Sequence, residues 1–192
     1  MRVLRAAEYK SMPWKNGGGV TTEIAVSPAG AGLDDFDWRV SMARVESSGP
    51  FSRFAGIDRT LSVLEGEGIV LDITGQPSTR LAPATAPFSF PADLPTSAAL
   101  IAGPITDLNV MTRRGRMLHS VERLAISRPV EIVTRAGSIL ILCHDGEAVF
   151  PDAGPIRLGP LDALLLGPDP SVLRAEPARN ATLFVVRIAA AA

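Results

Sequence analysis

Polar and apolar positions alternate with a period of two along most of this chain, and glycine or proline interrupts nearly every run. Trp38, Val40 and Met42 fall on one face of a strand and Arg39, Ser41 and Ala43 on the other. Val20 to Val26 alternates likewise, with Thr21 and Glu23 opposite Thr22, Ile24 and Val26. In Ile105 to Arg113 the polar face carries Asp107, Asn109, Met111 and Arg113, and Leu108 and Val110 lie opposite. Further strands are expected over 61–64, 69–73, 118–126, 138–143, 148–150, 163–166 and 182–188. Residues 83–95 are proline-rich and read as an ordered loop or edge segment. Glu65-Gly66-Glu67-Gly68 and Asp145-Gly146 carry hairpin-turn chemistry between adjacent runs. Many short strands with Gly/Pro turns predict an all-β sandwich or barrel. A looser repeat of the turn-and-strand pattern around Gly159-Pro160 and Gly167-Pro168 divides the chain into two jelly-roll units, 1–115 and 116–192, with strand exchange between them left open.

The chain is organised around Pro13-Trp14-Lys15-Asn16-Gly17-Gly18-Gly19-Val20-Thr21-Thr22-Glu23. Consecutive glycines permit positive φ and close backbone approach at an entropic cost. An aromatic ring, a cation, an amide, hydroxyls and a carboxylate surround them. The plain reading is a turn into a strand; the functional one is a binding loop. The lysine precedes the glycines and no Gly-Lys-Ser/Thr follows, so this is not a phosphate-binding Walker loop. The strand follows the glycines rather than preceding them, against a dinucleotide fingerprint.

Composition narrows the classes. The 192 residues are 46% hydrophobic and 20% charged, enough to build a core. Lys+Arg 19 against Asp+Glu 20 leaves a net charge of −1 with no basic run, which argues against nucleic-acid binding. The single Cys143 makes no intramolecular disulfide and suits a reducing compartment. No apolar run is long enough for a membrane helix and no signal-peptide core opens the chain, so the expectation is a cytoplasmic protein. Lys10 and Lys15 are the only lysines, and one of them stands beside the glycines.

His119 and His144 are the only histidines and stand in no metal-ligand spacing, so metal and cofactor chemistry is not expected. No Gly-x-Ser-x-Gly elbow supports a serine nucleophile. Thr21 with Glu23, Arg39 with Ser41, and Asp107 with Asn109 are polar i, i+2 pairs within strands otherwise able to pack. Each is by itself compatible with a solvent-facing edge. Facing one lumen, they would form a network of matched charge, because buried charges must be paired or satisfied by a ligand. Arg39, Arg59 and Lys15 would then grip a carboxylate, and Glu23, Asp107 and Asn109 would balance them. Trp38 reads as core; Trp14 is placed to stack on a planar ligand.

The motifs Trp14-Lys15-Asn16-Gly17-Gly18-Gly19 with Thr21 and Glu23-Ile24, Trp38-Arg39-x-Ser41-x-Ala43, Gly49-Pro50-Phe51-Ser52-x-Phe54-x-Gly56 with Arg59, and Asp107 to Arg113 resemble the HutD/Ves family over roughly the first 115 residues. The resemblance implies a bicupin of the RmlC-like jelly-roll type without the histidine metal ligands of metal-dependent cupins. It implies a modulator of bacterial histidine utilisation rather than a pathway enzyme, or, for the Ves branch, a link to stress or cold response. It also implies a small carboxylate such as urocanate or formylglutamate as ligand. Asn16, Thr21, Glu23, Arg39, Ser41, Arg59, Asp107, Asn109 and Arg113 fall on motif positions. The competing expectation is a metal-independent isomerase, lyase or hydrolase with Glu23 and Asp107 as acid and base. A homodimer through exposed edge strands is a further expectation.

Overall fold

A computed structural model of the chain describes residues 1–14, 17–134, 137–169 and 171–191, with the Ser171 side chain outside that description. The chain enters through β1 (Arg2–Leu4), a 3-10 turn at Ala6–Glu8, and β2 (Lys10–Pro13). β3 (Gly19–Ser27), β4 (Trp38–Val45), β5 (Gly49–Pro50) and β6 (Ile57–Glu65) follow, then β7 (Ile69–Ile73), β8 (Thr79–Leu81), β9 (Phe88–Pro91) and β10 (Thr96–Leu100). β11 (Ile105–Arg113) and β12 (Met117–Ile126) lead to β13 (Val130–Thr134), β14 (Ser138–Asp145) and β15 (Ala148–Phe150). After a 3-10 turn at Pro151–Ala153 come β16 (Ile156–Leu158), β17 (Ala163–Leu166), β18 (Ser171–Pro177) and β19 (Ala181–Ala190). The all-β expectation from alternation and turn spacing holds.

The chain divides into two compact units, Lys10–Leu118 and Met1–Tyr9 with His119–Ala192. In the first, a six-stranded sheet in the order β2-β3-β4-β11-β6-β9 accompanies a four-stranded sheet, β5-β10-β7-β8. In the second, the sheets are β1-β17-β14-β19-β12 and β13-β18-β15-β16. Residues 1–9 therefore belong with the C-terminal unit and not with the N-terminal one to which the sequence pattern assigned them. The reason is pairing: Arg2, Val3 and Leu4 lie antiparallel to Leu165, Leu164 and Ala163. Asp162 then holds the segment by accepting from the Ala6 amide at 2.9 Å and from Arg5 Nη1 at 2.7 Å. Nothing local to residues 1–9 signals so distant a partner.

Two turns read as hairpins have a different function. β6 and β7, joined by Glu65–Gly68, lie in different sheets, and so do β14 and β15, joined at Asp145-Gly146. Each turn carries the chain from one sheet to the other, with its glycine against a neighbouring carbonyl. Gly68 has φ +109, and a Cβ there would stand 2.2 Å from the Leu81 carbonyl oxygen; Gly146 has φ +75, and its Cβ would stand 2.1 Å from that of Asn180. Dipeptide chemistry specifies a reversal with positive φ, but not whether the next strand pairs with the last or faces it.

The core of the first unit gathers Ala43, Val45, Leu61, Val63 and Ile105 from the larger sheet with Ile69, Leu71, Ile73, Leu81 and Ala98 from the smaller. The second unit fills its interior with Ile139, Ile141, Cys143, Phe150, Leu164, Leu183 and Val185, among others. Cys143 is fully buried, and burial pushes its thiol up to about 11, so it packs as a small apolar group.

Gly68→Ala and Gly146→Ala combine a disfavoured φ with backbone overlap. Each is expected to cost about 3 kcal/mol, the sum of modest penalties for left-handed backbone and overpacking. Urea unfolding of the full chain measures it, and a loss under about 0.5 kcal/mol would show that these crossings tolerate a side chain.

Candidate functional site

The residues that carry the chemistry lie on one face of the larger sheet in the first unit, in rows set by strand register. Thr21, Ala43, Asp107 and Val63 stand side by side across β3, β4, β11 and β6. The next row is Glu23, Ser41, Asn109 and Leu61, and the one after it is Val26, Arg39, Met111 and Arg59, flanked by Phe90 on β9. Val26 joins this face because a bulge between Glu23 and Ala25 inserts Ile24 as an extra residue. Strict alternation places Val26 on the opposite face, so the bulge corrects that expectation. Ala43, Leu61 and Val63 in these rows belong to the main apolar cluster, whereas Met111 packs in a second cluster with Phe36, Ile57 and Ala92. The polar side chains are therefore set between two apolar masses on an inward-facing surface.

Arg39 and Arg59 are 5% and 8% exposed, Asn109 3% and Asp107 0%. Arg39 Nε donates to Glu23 Oε2 at 2.8 Å. Arg59 donates from Nε to Asn109 Oδ1 at 2.8 Å, and its Nη2 donates to the same oxygen. Asn109 in turn donates from Nδ2 to Asp107 Oδ1 at 2.5 Å. The Arg59 guanidinium lies 4.5 Å from the Phe51 ring centroid and 5.7 Å from that of Phe90. Both contacts are cation–π interactions in a desolvated setting. Ser41, 2% exposed, occupies the row between Asp107 and Arg39.

Electrostatics follow from burial. Asp107 is pushed up to about 6 by desolvation, against the opposing field of Arg59, the Asn109 hydrogen bond and the Ala43 backbone amide. Arg59 is lowered to about 10 by burial, with Asp107 opposing and Arg39 adding to the fall. Among the described residues, Arg39 Nη2 and Asp107 Oδ2 are buried and lack hydrogen-bond partners. Unpaired buried charge is costly in a folded protein, so these two atoms mark where an external group would be stabilised most.

The remaining expected positions divide. Trp14 packs against the main apolar cluster and donates from Nε1 to Thr21 Oγ1 at 2.7 Å. A Cβ on Gly19 would meet the Arg44 carbonyl oxygen at 2.2 Å and the Trp14 ring at 3.1 Å, so the glycine lets the indole lie flat on the strand. Lys15 and Asn16 lie outside the described residues. Arg113 leaves the group: its Nε donates to the Phe36 carbonyl at 3.0 Å and its Nη2 to that of Asp34 at 2.7 Å. Arg114, on the adjoining turn, bridges Asp58 at 2.8 Å and Asp93 at 2.9 Å. These two arginines tie loops together beside the Phe36 cluster.

Phe51 and Phe90, which cover Arg59, were not singled out from sequence as site residues. Their signal was weak: Phe51 sits in a loop, and the pairing of Phe90 with Arg59 depends on the β6–β9 register. Among the described residues no group of His, Cys, Asp or Glu could hold a metal ion. His144 instead lies edge-on to Phe184 at 5.9 Å. An open depression of about 360 Å³ lined by Pro50, Asp72, Ile73, Thr74, Pro95, Thr96 and Ser97 takes none of the buried charged groups. The Asp72 carboxylate there already accepts from Ser78.

Residues 6–184 match the HutD family. The chain belongs to the HutD family. An uncharacterized 21.2 kDa protein in the hutC 3′ region of Pseudomonas putida is 48% identical over 182 residues, covering 92% of each chain. Protein Ves of Citrobacter koseri is 34% identical over 139 residues, covering 70% of this chain and 71% of its own. A structure of HutD from Pseudomonas fluorescens SBW25, in a formate condition, superposes with TM-score 0.84 at 32% identity, covering 100% and 99% of the two chains. A cupin 2 conserved barrel protein from Leptotrichia buccalis superposes with TM-score 0.61 at 10% identity, covering 93% and 96%, a likeness of fold alone. The chain is thus a cupin-type β structure, as the resemblance implied, and no helix among its described residues is long and apolar enough to cross a membrane.

Asp107 gives a signed prediction. Its carboxyl has a folded pKa above the unfolded one, so between about pH 4 and 6 the folded chain holds a proton that the unfolded chain has released. Its contribution to stability is greatest in acid, declines as pH rises toward 6, and is flat above. Asp107→Asn lacks this titration. Relative to the natural chain, it is expected to gain about 2 kcal/mol between pH 4.5 and 7.5, measured by urea unfolding at both values. A difference that does not change with pH would mean that Asp107 is not buried as described.

Proposed function

We propose that this HutD-family protein binds a small carboxylate, without a metal, on the inward face of its first unit. On this reading it modulates histidine utilisation and is not a pathway enzyme. The observation that carries the reading is a pair of arginines and an aspartate, each under a tenth exposed, gathered on one lumen face with a buried guanidinium nitrogen unpartnered among the described residues. A planar guanidinium presents parallel N–H groups that match a carboxylate, and low dielectric strengthens the contact. Glu23 holds Nε of Arg39 and so orients the rest of the fork. Asn109 and the rings of Phe51 and Phe90 hold Arg59 in a single pose. Support for the pathway comes from the name of the P. fluorescens relative and from the hutC-adjacent location of the P. putida relative. A regulatory output requires that the ligand bind one conformation or assembly more tightly than another.

Thermal unfolding with urocanate, formylglutamate, histidine and formate tests this reading. A cognate acid at a hundredfold excess over its Kd stabilises by about 2.7 kcal/mol. In a chain of this length that raises Tm by roughly 5–10 °C. Arg39→Ala is expected to abolish the rise, and Glu23→Gln to reduce it. If no acid raises Tm at millimolar concentration, the lumen is not a carboxylate receptor. Consumption of the acid during incubation, followed by NMR, would assign turnover instead, with Glu23 and Asp107 as acid and base.

A further inference from the structure

The carboxylate reading uses the cationic half of the buried network and leaves Asp107 unexplained. This side chain is fully buried, and its Oδ1 is taken by Asn109 Nδ2. Its Oδ2 is buried with no hydrogen-bond partner among the described residues, and a hydrogen bond from the Ala43 backbone to the carboxyl lowers its pKa against the rise from burial. An ionised carboxylate only accepts hydrogen bonds. Arg39 Nη2, also buried and unpartnered on this face, only donates. The two stand on one face, Arg39 in the row of Met111 and Asp107 in the row of Ala43, with the Ser41–Asn109 row between them. The open requirements of the lumen are therefore of opposite kind and separated along the strands. An acid with acceptor oxygens alone meets one of them and leaves a buried carboxylate oxygen unmet.

Resting on the small-acid reading, we propose that the ligand is two-ended, a carboxylate for Arg39 joined to a neutral N–H donor for Asp107 Oδ2, and that Asp107 sets specificity by rejecting acids that lack the donor. A site built to accept a hydrogen bond discriminates strongly against an analogue without the donor, because its own buried acceptor is then stranded. An apolar ring in the donor's place also brings carbon against a desolvated carboxylate. Formate carries only the carboxylate end, so it is expected to bind more weakly than a two-ended acid. The Phe51 and Phe90 rings lie against the Arg59 guanidinium, and its Nε and Nη2 serve Asn109, which keeps Asp107 Oδ1 engaged and directs the ligand's donor to Oδ2.

Two aryl acids with the same propanoate chain test the donor: 3-(imidazol-4-yl)propanoate, whose neutral ring carries one N–H, and 3-phenylpropanoate, whose ring carries none. Isothermal titration of the full chain at pH 8, where Asp107 is ionised, is expected to show the imidazole acid binding roughly 10- to 100-fold more tightly, the worth of a hydrogen bond to a buried charge. Asp107→Asn is expected to narrow that ratio at least fivefold. The comparison in the natural chain stands even if the variant fails to fold. Equal affinities in the natural chain, or tighter binding of the phenyl acid, would overturn the donor requirement while leaving the carboxylate receptor intact. Binding of neither acid, with formate and acetate also silent, would overturn both.

Discussion

Burying charge in a β lumen is the constraint on which the first unit depends. Arg39, Arg59 and Asp107 are all withdrawn from water on a surface that also carries Ala43, Leu61 and Val63 of the apolar core. Such groups persist only where neighbours compensate the lost hydration, and the compensation here is graded. Glu23, at the partly exposed margin, meets Arg39 directly. Asn109 mediates between Arg59 and Asp107, accepting from one and donating to the other, so the two charges are linked without touching. Aromatic faces supply the rest for Arg59. Replacing this chain by hydrocarbon would fill the same space with less cost, which is why its presence argues for chemistry rather than stability.

The second unit provides an internal comparison. It has the same two-sheet plan and a sheet-crossing glycine at Gly146 that matches Gly68 of the first. Its interior holds Ile139, Ile141, Leu164, Leu183 and Val185 with the neutral thiol of Cys143 and the buried Thr134, and none of its described charged residues is buried. One architecture thus carries two kinds of core in a single chain. The fold does not require a polar lumen, and the polar lumen of the first unit is a local addition to it.

Arginine serves two separate purposes in the first unit. Arg39 and Arg59 extend into the lumen, while Arg113 and Arg114 reach loop carbonyls and surface carboxylates beside the Phe36 cluster. Arg113 shares its strand face with Asp107 and Asn109, yet it passes the last lumen row and finds the backbone of residues 34 and 36. That contact, together with the Arg113 cation 5.9 Å from the Phe36 ring, secures the β3–β4 loop. Loop anchoring and ligand-facing chemistry thus differ by a single step along the same alternating pattern.

The sequence by itself determined β3, β4, β11, β14 and β19, the all-β class and the three polar pairs, because period-two alternation is a local property of the chain. Family motifs at Trp14, Glu23, Arg39, Arg59 and Asp107 marked the correct strands for the charged network. Other features depended on partners far along the chain. The bulge at Ile24 turned Val26 inward, residues 1–9 paired with β17, and the Gly68 and Gly146 turns joined sheets rather than paired strands. Register decided that Asn109 stands between Arg59 and Asp107, and that Phe90 falls beside Arg59. Alternation reports which face a side chain takes, but only pairing reports what lies across from it, and the chemistry of this lumen is made of what lies across.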